Sequence, residues 1–269
     1  MGDSQANRQL VDWLEAQIFG AAQFSDIREH VPGFSDRDAY TLRAALVRKR
    51  CAGGDALAGY KVAGSNLSVR KDEHVEGAIV GCVMGSCVHQ AGALVPHTGR
   101  RMAVEAEIAV LLKRDIQGPG VTLLDAYQAT EAVFPAFEIL AFRDGPKPSH
   151  QARILASNFS GGYVYGGPLH SVHGLDLRTE GAAIFINGEP RASGTGMEVL
   201  GNPMNALAMV ANTIAHTGEK LKAGMIVMTG SITANVPVQP GDRVEARLTR
   251  LGEIGVRFSG IGGQANSDS

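Results

Sequence analysis

Residues 104–112 read Val104-Glu105-Ala106-Glu107-Ile108-Ala109-Val110-Leu111-Leu112, an apolar run interrupted by two acids spaced one residue apart. In an extended chain successive side chains point to opposite faces, so Val104, Ala106, Ile108 and Val110 face one way and Glu105, Glu107 and Ala109 the other. One face is core. The other presents two carboxylates side by side, an arrangement that resists burial because like charges repel. A bare Glu-x-Glu also suits a solvated face. The stretch Phe134-Pro135-Ala136-Phe137-Glu138-Ile139-Leu140 changes the balance, because Glu138 is an isolated acid in an apolar segment and needs a partner once buried. Glu105, Glu107 and Glu138, with no His or Cys ligand nearby, make a hard-oxygen site suited to Mg2+ or Mn2+ rather than zinc. Such an ion takes about six ligands, so three protein oxygens leave room for a chelating substrate and a water.

Other polar residues stand at positions that chemistry can use. Lys61 lies in Gly59-Tyr60-Lys61-Val62-Ala63-Gly64, a lysine within a glycine-flanked strand. On a surface it is an ordinary cation; turned toward the carboxylates it donates a proton or binds an anion. Ser160, after Asn158-Phe159, and Thr229-Gly230-Ser231, at a strand end, can bind a substrate carboxylate through hydroxyls and backbone N–H groups. His170 and His173 fall in a Gly/Pro-rich loop and read as surface.

Outward from these segments the chain divides by texture. Residues 1–55 read as a helical region: Leu10, Val11, Leu14 and Ile18 recur at helical spacing around Trp13, and Ser35 with Asp38 forms a capping box for a second helix ending in Arg48-Lys49-Arg50. Residues 56–259 form the glycine-rich β domain, and residues 260–269 a loose tail. Within the β domain a helix is expected over 123–133, stopping before Pro135, with a strand over 136–141. Asn187-Gly188 marks a hairpin, and Asn202-Pro203 opens a helix striped by Leu207, Val210, Ala211 and Ile214.

Composition removes whole classes of function. The chain has 269 residues, 25 basic and 27 acidic side chains and a formal charge of −2, with no dense basic run to bind nucleic acid. No apolar run approaches the roughly 18 residues of a membrane span. The N-terminus lacks a basic start followed by an apolar core, so no secretion signal is expected and the protein is placed in the cytoplasm. Three cysteines, Cys51, Cys82 and Cys87, without a Cys-x-x-Cys pair, read as reduced thiols. Glycine, at 34 residues, is well above the usual roughly 7% and favours short strands joined by tight turns.

These segments together resemble the 2-keto-4-pentenoate hydratase group of the fumarylacetoacetate hydrolase superfamily. The similarity is carried by Gly59-Tyr60-Lys61-Val62, by residues 104–109 and 135–139, by Leu175-Asp176-Leu177, by 194–205 (GTGMEVLGNPMN) and by 224–230. The resemblance implies an α+β fold, a mixed β-roll or β-sandwich core behind an N-terminal helical region. It implies Mg2+ or Mn2+ on the acids matching Glu105, Glu107 and Glu138, a 2-oxo acid substrate, and a homo-oligomer with no nucleic-acid or membrane partner. The activity it implies is that of a lyase, a hydratase adding water to a 2-hydroxy-2,4-dienoate in aromatic-compound catabolism, with Lys61 moving the proton. Decarboxylation of a 2-oxo-3-enedioate, with Arg153 as a candidate for the distal carboxylate, and a non-catalytic family member remain alternatives. The group's acids near the positions of Gly81 and Arg153 are absent from this sequence.

Overall fold

A computed structural model describes residues 5–19, 25–66, 77–142, 148–156 and 161–260. Ser160 and the tail beyond Gly260 lie outside the described residues. The chain opens with helices α1 (Gln5–Phe19), α2 (Ile27–His30) and α3 (Asp36–Ala52). Ser35 caps α3 as expected: its Oγ accepts from the Asp38 N–H at 3.2 Å while the Asp38 carboxylate accepts from the Ser35 N–H at 3.1 Å. Val11, Leu14 and Ile18 of α1 bury together with Leu42, Leu46 and Val47 of α3 in the main core. Lys49 reaches back from the last turn of α3 to Asp12 and Glu15.

Strands β1 (Leu57–Ala63), β2 (Ile79–Met84), β3 (Val88–Gln90), β4 (Leu94–Val95) and β5 (Met102–Leu112) follow. Helix α4 (Leu123–Ala129) then leads directly into β6 (Thr130–Ala141). The expected helix over 123–133 is therefore too long, and Pro135 lies inside a strand rather than beyond a helix. The register explains why the strand tolerates it. Pro135 stands opposite Ile108, whose carbonyl turns away from β6 to accept from Thr229. The missing N–H thus faces the other side of β6. There β7 (Gly162–Tyr165) ends opposite Ala136, and the next pairing is a backbone bridge between Val133 and His170. Proline falls in the gap between them and costs no ladder bond. His170 is in consequence half-buried, while His173 is exposed.

After helix α5 (His150–Ala156) and β7, the hairpin β8 (Gly181–Ile186) to β9 (Glu189–Thr195) turns at Asn187 and Gly188, both with positive φ. Helix α6 (Pro203–Ile214), capped by Asn202, is followed by β10 (Ile226–Ser231), β11 (Val236–Val238), β12 (Arg243–Leu248) and β13 (Gly252–Phe258). Among the described residues these strands form two mixed sheets. The larger is ordered β2-β1-β10-β5-β6-β7-β3, with β11 on the start of β5, and the smaller β4-β13-β12-β8-β9. No described helix is long and apolar enough to cross a membrane.

The larger sheet has two unlike faces. Val104, Ala106, Ile108 and Val110 of β5 join Tyr60, Val62, Phe137 and Ile139 in the main core. Ala109 points the other way, into a small cluster with Val83, Phe134, Ala136, Tyr163, Tyr165 and Met228. At the centre β1 runs parallel to β10 with Gly59 opposite Ile226, and a Cβ on Gly59 would overlap the Ile226 carbonyl oxygen. Gly59→Ala must push β1 away from β10. It is expected to cost about 2–3 kcal/mol and to lower the thermal midpoint by roughly 5–10 °C, read by calorimetry.

Candidate active site

The second face of the larger sheet gathers the acids in two neighbouring rows. Glu105 stands opposite Glu138, which stands opposite Tyr163; Glu107 stands opposite Ala136, which stands opposite Tyr165. A strand pair set out of register by one residue would turn one of these acids into the main core. As paired, one carboxylate oxygen from each of Glu105, Glu107 and Glu138 lies within 4.8 Å of the others.

Lys61 arrives from β1, two strands away, with its side chain on this same face because its neighbours Tyr60 and Val62 face the core. Its Nζ donates to Glu138 Oε1 at 2.8 Å, and both groups are buried. The residue beside it on β2 is Gly81, which presents no side chain.

Glu107 is held by a backbone irregularity. The β10–β5 register shifts between Met228 and Ser231, and Gly230 there adopts φ +112. Its N–H donates to Glu107 Oε2 at 2.7 Å. A side chain at 230 would be strained by that φ and would overlap Ser65 Oγ, so glycine is required twice over. The other oxygen, Glu107 Oε1, is buried with no partner. Burial, followed by the charges of Glu138 and Glu105, pushes the Glu107 carboxyl well above the usual carboxylate range.

The flanking residues Thr229, Gly230 and Ser231 each donate within the chain. Thr229 donates its hydroxyl to Ile108 O at 2.8 Å, and Ser231 donates to Thr233 O at 2.6 Å, so both hydroxyl protons are committed to the chain. Gly230 binds through its amide, but to Glu107. Arg153 sits half-buried on α5, which packs on α3. Sequence reasoning missed Tyr165, whose hydroxyl is buried without a partner. Its alternation with Val164 was visible, but its place in the row of Glu107, one strand beyond Ala136, depends on a register that only the fold supplies.

Three carboxylates facing one ammonium leave an excess of two negative charges when all are ionised. An oxygen-only donor set, an orphaned buried Glu107 oxygen and that charge deficit fit a hard divalent cation.

The chain is similar to known proteins over most of its length. Residues 72–259 match the family model described as fumarylacetoacetate (FAA) hydrolase C-terminal. A 4-oxalocrotonate decarboxylase of Pseudomonas putida is 32% identical over 93% of this chain and 95% of its own. A 2-hydroxyhexa-2,4-dienoate hydratase of Comamonas testosteroni is 31% identical over 96% of this chain and 100% of its own. The solved 4-oxalocrotonate decarboxylase from Pseudomonas putida G7, complexed with magnesium and adipate, superposes with a TM-score of 0.87 at 30% identity, covering 96% of this chain and 99% of that one.

The raised Glu107 carboxyl gives a testable sign. A carboxyl that keeps its proton to higher pH folded than unfolded stabilises the fold at low pH and loses that contribution as pH rises through its folded value. A divalent cation competes with that proton. Saturating Mn2+ is therefore expected to raise the thermal midpoint by roughly 5–10 °C at about pH 8 and far less at about pH 5.5. Glu107→Gln, which keeps an oxygen for Gly230, should match the parent's metal-free midpoint or exceed it and lose the Mn2+ response.

Proposed function

Because the chain belongs to the fumarylacetoacetate hydrolase family, we propose that it is a divalent-metal-dependent lyase of 2-oxo acids, adding water to a 2-hydroxy-2,4-dienoate to give a 4-hydroxy-2-oxo acid. The observation that carries this reading is the Glu105–Glu107–Glu138 cluster, with Glu107 and Glu138 buried and Glu105 half-buried, and Lys61 tied to it on one sheet face. Glu105, Glu107 and Glu138 would hold the cation, Mg2+ or Mn2+. Once bound, the cation supplies Lewis acidity toward the substrate's carboxylate and 2-oxygen.

The chain's own residues account for the rest. Gly230 fixes one oxygen of Glu107 and leaves the other free for a ligand. Glu138 holds Lys61 Nζ in place, and the burial of both groups excludes bulk water from the ammonium. Lys61 Nζ then moves the proton that leaves the 2-hydroxyl and is added at C5, giving the 2-oxo-3-enoate. Water adds its hydroxyl at C4 and its hydrogen at C3. A cytoplasmic homo-oligomer completes the reading. Leu124, Leu169 and Met197 are large exposed apolar residues available to such an assembly.

Decarboxylation of a 2-oxo-3-enedioate is the second reading, favoured by the similarity to the magnesium- and adipate-bound decarboxylase. Incubation with Mg2+ and either 2-hydroxypenta-2,4-dienoate or 4-oxalocrotonate separates the two. Loss of dienol absorbance without CO2 release is expected; release of CO2 from the dienedioate would establish the second reading. Glu107→Gln and Lys61→Met should each lower kcat by at least about a hundredfold with the fold intact by circular dichroism. Full turnover in metal-free Glu107→Gln would refute both.

A further inference from the structure

The donors around the carboxylates are almost all committed within the protein. Lys61 Nζ gives one of its three N–H bonds to Glu138, the Gly230 N–H goes to Glu107, the Thr229 hydroxyl to Ile108 O and the Ser231 hydroxyl to Thr233 O. Tyr165 is different. It lies on β7 opposite Ala136, whose methyl is all that stands between it and Glu107 in that row of the sheet. Its ring meets Phe134 edge-on at 6.2 Å, and it is 7% exposed. Its hydroxyl is buried and has no hydrogen-bond partner, which a folded protein seldom permits. Burial foremost, then the negative charges of Glu107 and Glu138, push its phenol up, so the hydroxyl keeps its proton and can donate it. An uncharged donor near an anionic cluster suits an acidic ligand: it adds no further negative charge to the site, and it supplies a hydrogen bond that the Gly230 amide and the Thr229 and Ser231 hydroxyls cannot.

We propose that Tyr165 is a substrate-binding residue whose hydroxyl donates a hydrogen bond to an oxygen of the bound 2-oxo acid. The inference rests on the metal-dependent reading above. Phe134 and Ala136 hold the ring, and the ligand completes the bonding of the hydroxyl. The residue therefore contributes to affinity for the acid and not to affinity for the cation, which the three glutamates hold.

Tyr165→Phe removes the oxygen alone and keeps the ring. Titration calorimetry with Mn2+, and then with oxalate in saturating Mn2+, tests it, oxalate standing for the acid end of the substrate. Expected are Mn2+ affinity within about twofold of the parent, oxalate affinity lower by about tenfold or more, and a thermal midpoint no lower than the parent's. Oxalate affinity within about twofold of the parent would overturn the proposal, as would equal losses of Mn2+ and oxalate affinity or a lowered midpoint. A crystal structure of the unsubstituted protein with Mg2+ and oxalate gives a second measurement, with an oxalate oxygen expected within about 3 Å of the hydroxyl. A hydroxyl bonded to water alone would count against it. If the parent bound neither Mn2+ nor oxalate, the metal-dependent reading would fall and this inference with it. A parent that binds both, beside an unaffected Tyr165→Phe, would remove this inference only.

Discussion

Three carboxylates share one face of a sheet with one ammonium, and the surrounding structure is arranged to hold that unequal charge. A buried acid without compensation would take up a proton or open the fold. Here Lys61 neutralises Glu138, and the amide of Gly230 satisfies half of Glu107. The remaining half of Glu107 is left unsatisfied in a buried place. That unfinished bonding separates a site from a core. Neither Gly230, at φ +112 beside the register shift in β10, nor Gly81, beside Lys61, brings a side chain that could complete it.

Much of this was legible in the chain because a strand's period is short and strict. Glu105 and Glu107 had to share a face, and Lys61 had to oppose Tyr60 and Val62, whatever the rest of the fold did. The helix caps at Ser35 and Asn202 and the hairpin at Asn187-Gly188 were equally local and appear as read. The error over 123–133 had the opposite cause. Helix propensity and a following proline suggested a helix to the end, while the cost of proline in a strand depends on which neighbour its missing N–H would face. That neighbour is set by where β7 stops, far along the chain.

The same distinction explains the residues beside the acids. Thr229 and Ser231 read as ligand groups because they are polar and flank a glycine, and the fold sets where their protons go. Whether a hydroxyl is free depends on which carbonyl lies opposite, and Ile108 and Thr233 claim theirs. For the converse reason Tyr165 does not stand out in the sequence. An aromatic residue in a β-strand reads as packing, and only pairing with β6 sets it in the row of Glu107.

The parallel pairing of β1 with β10 has a consequence for how the protein comes into being. Gly59 is aligned with Ile226, so the lysine strand can pair with β2 early but with β10 only after most of the polypeptide has been made. Helices and hairpins can settle early on a ribosome, but a pairing this distant must wait. The paired strands of the three glutamates can therefore form first, while Gly230 reaches Glu107 and the lysine strand reaches its place beside β10 only late, so the charged centre is completed in a nearly finished molecule.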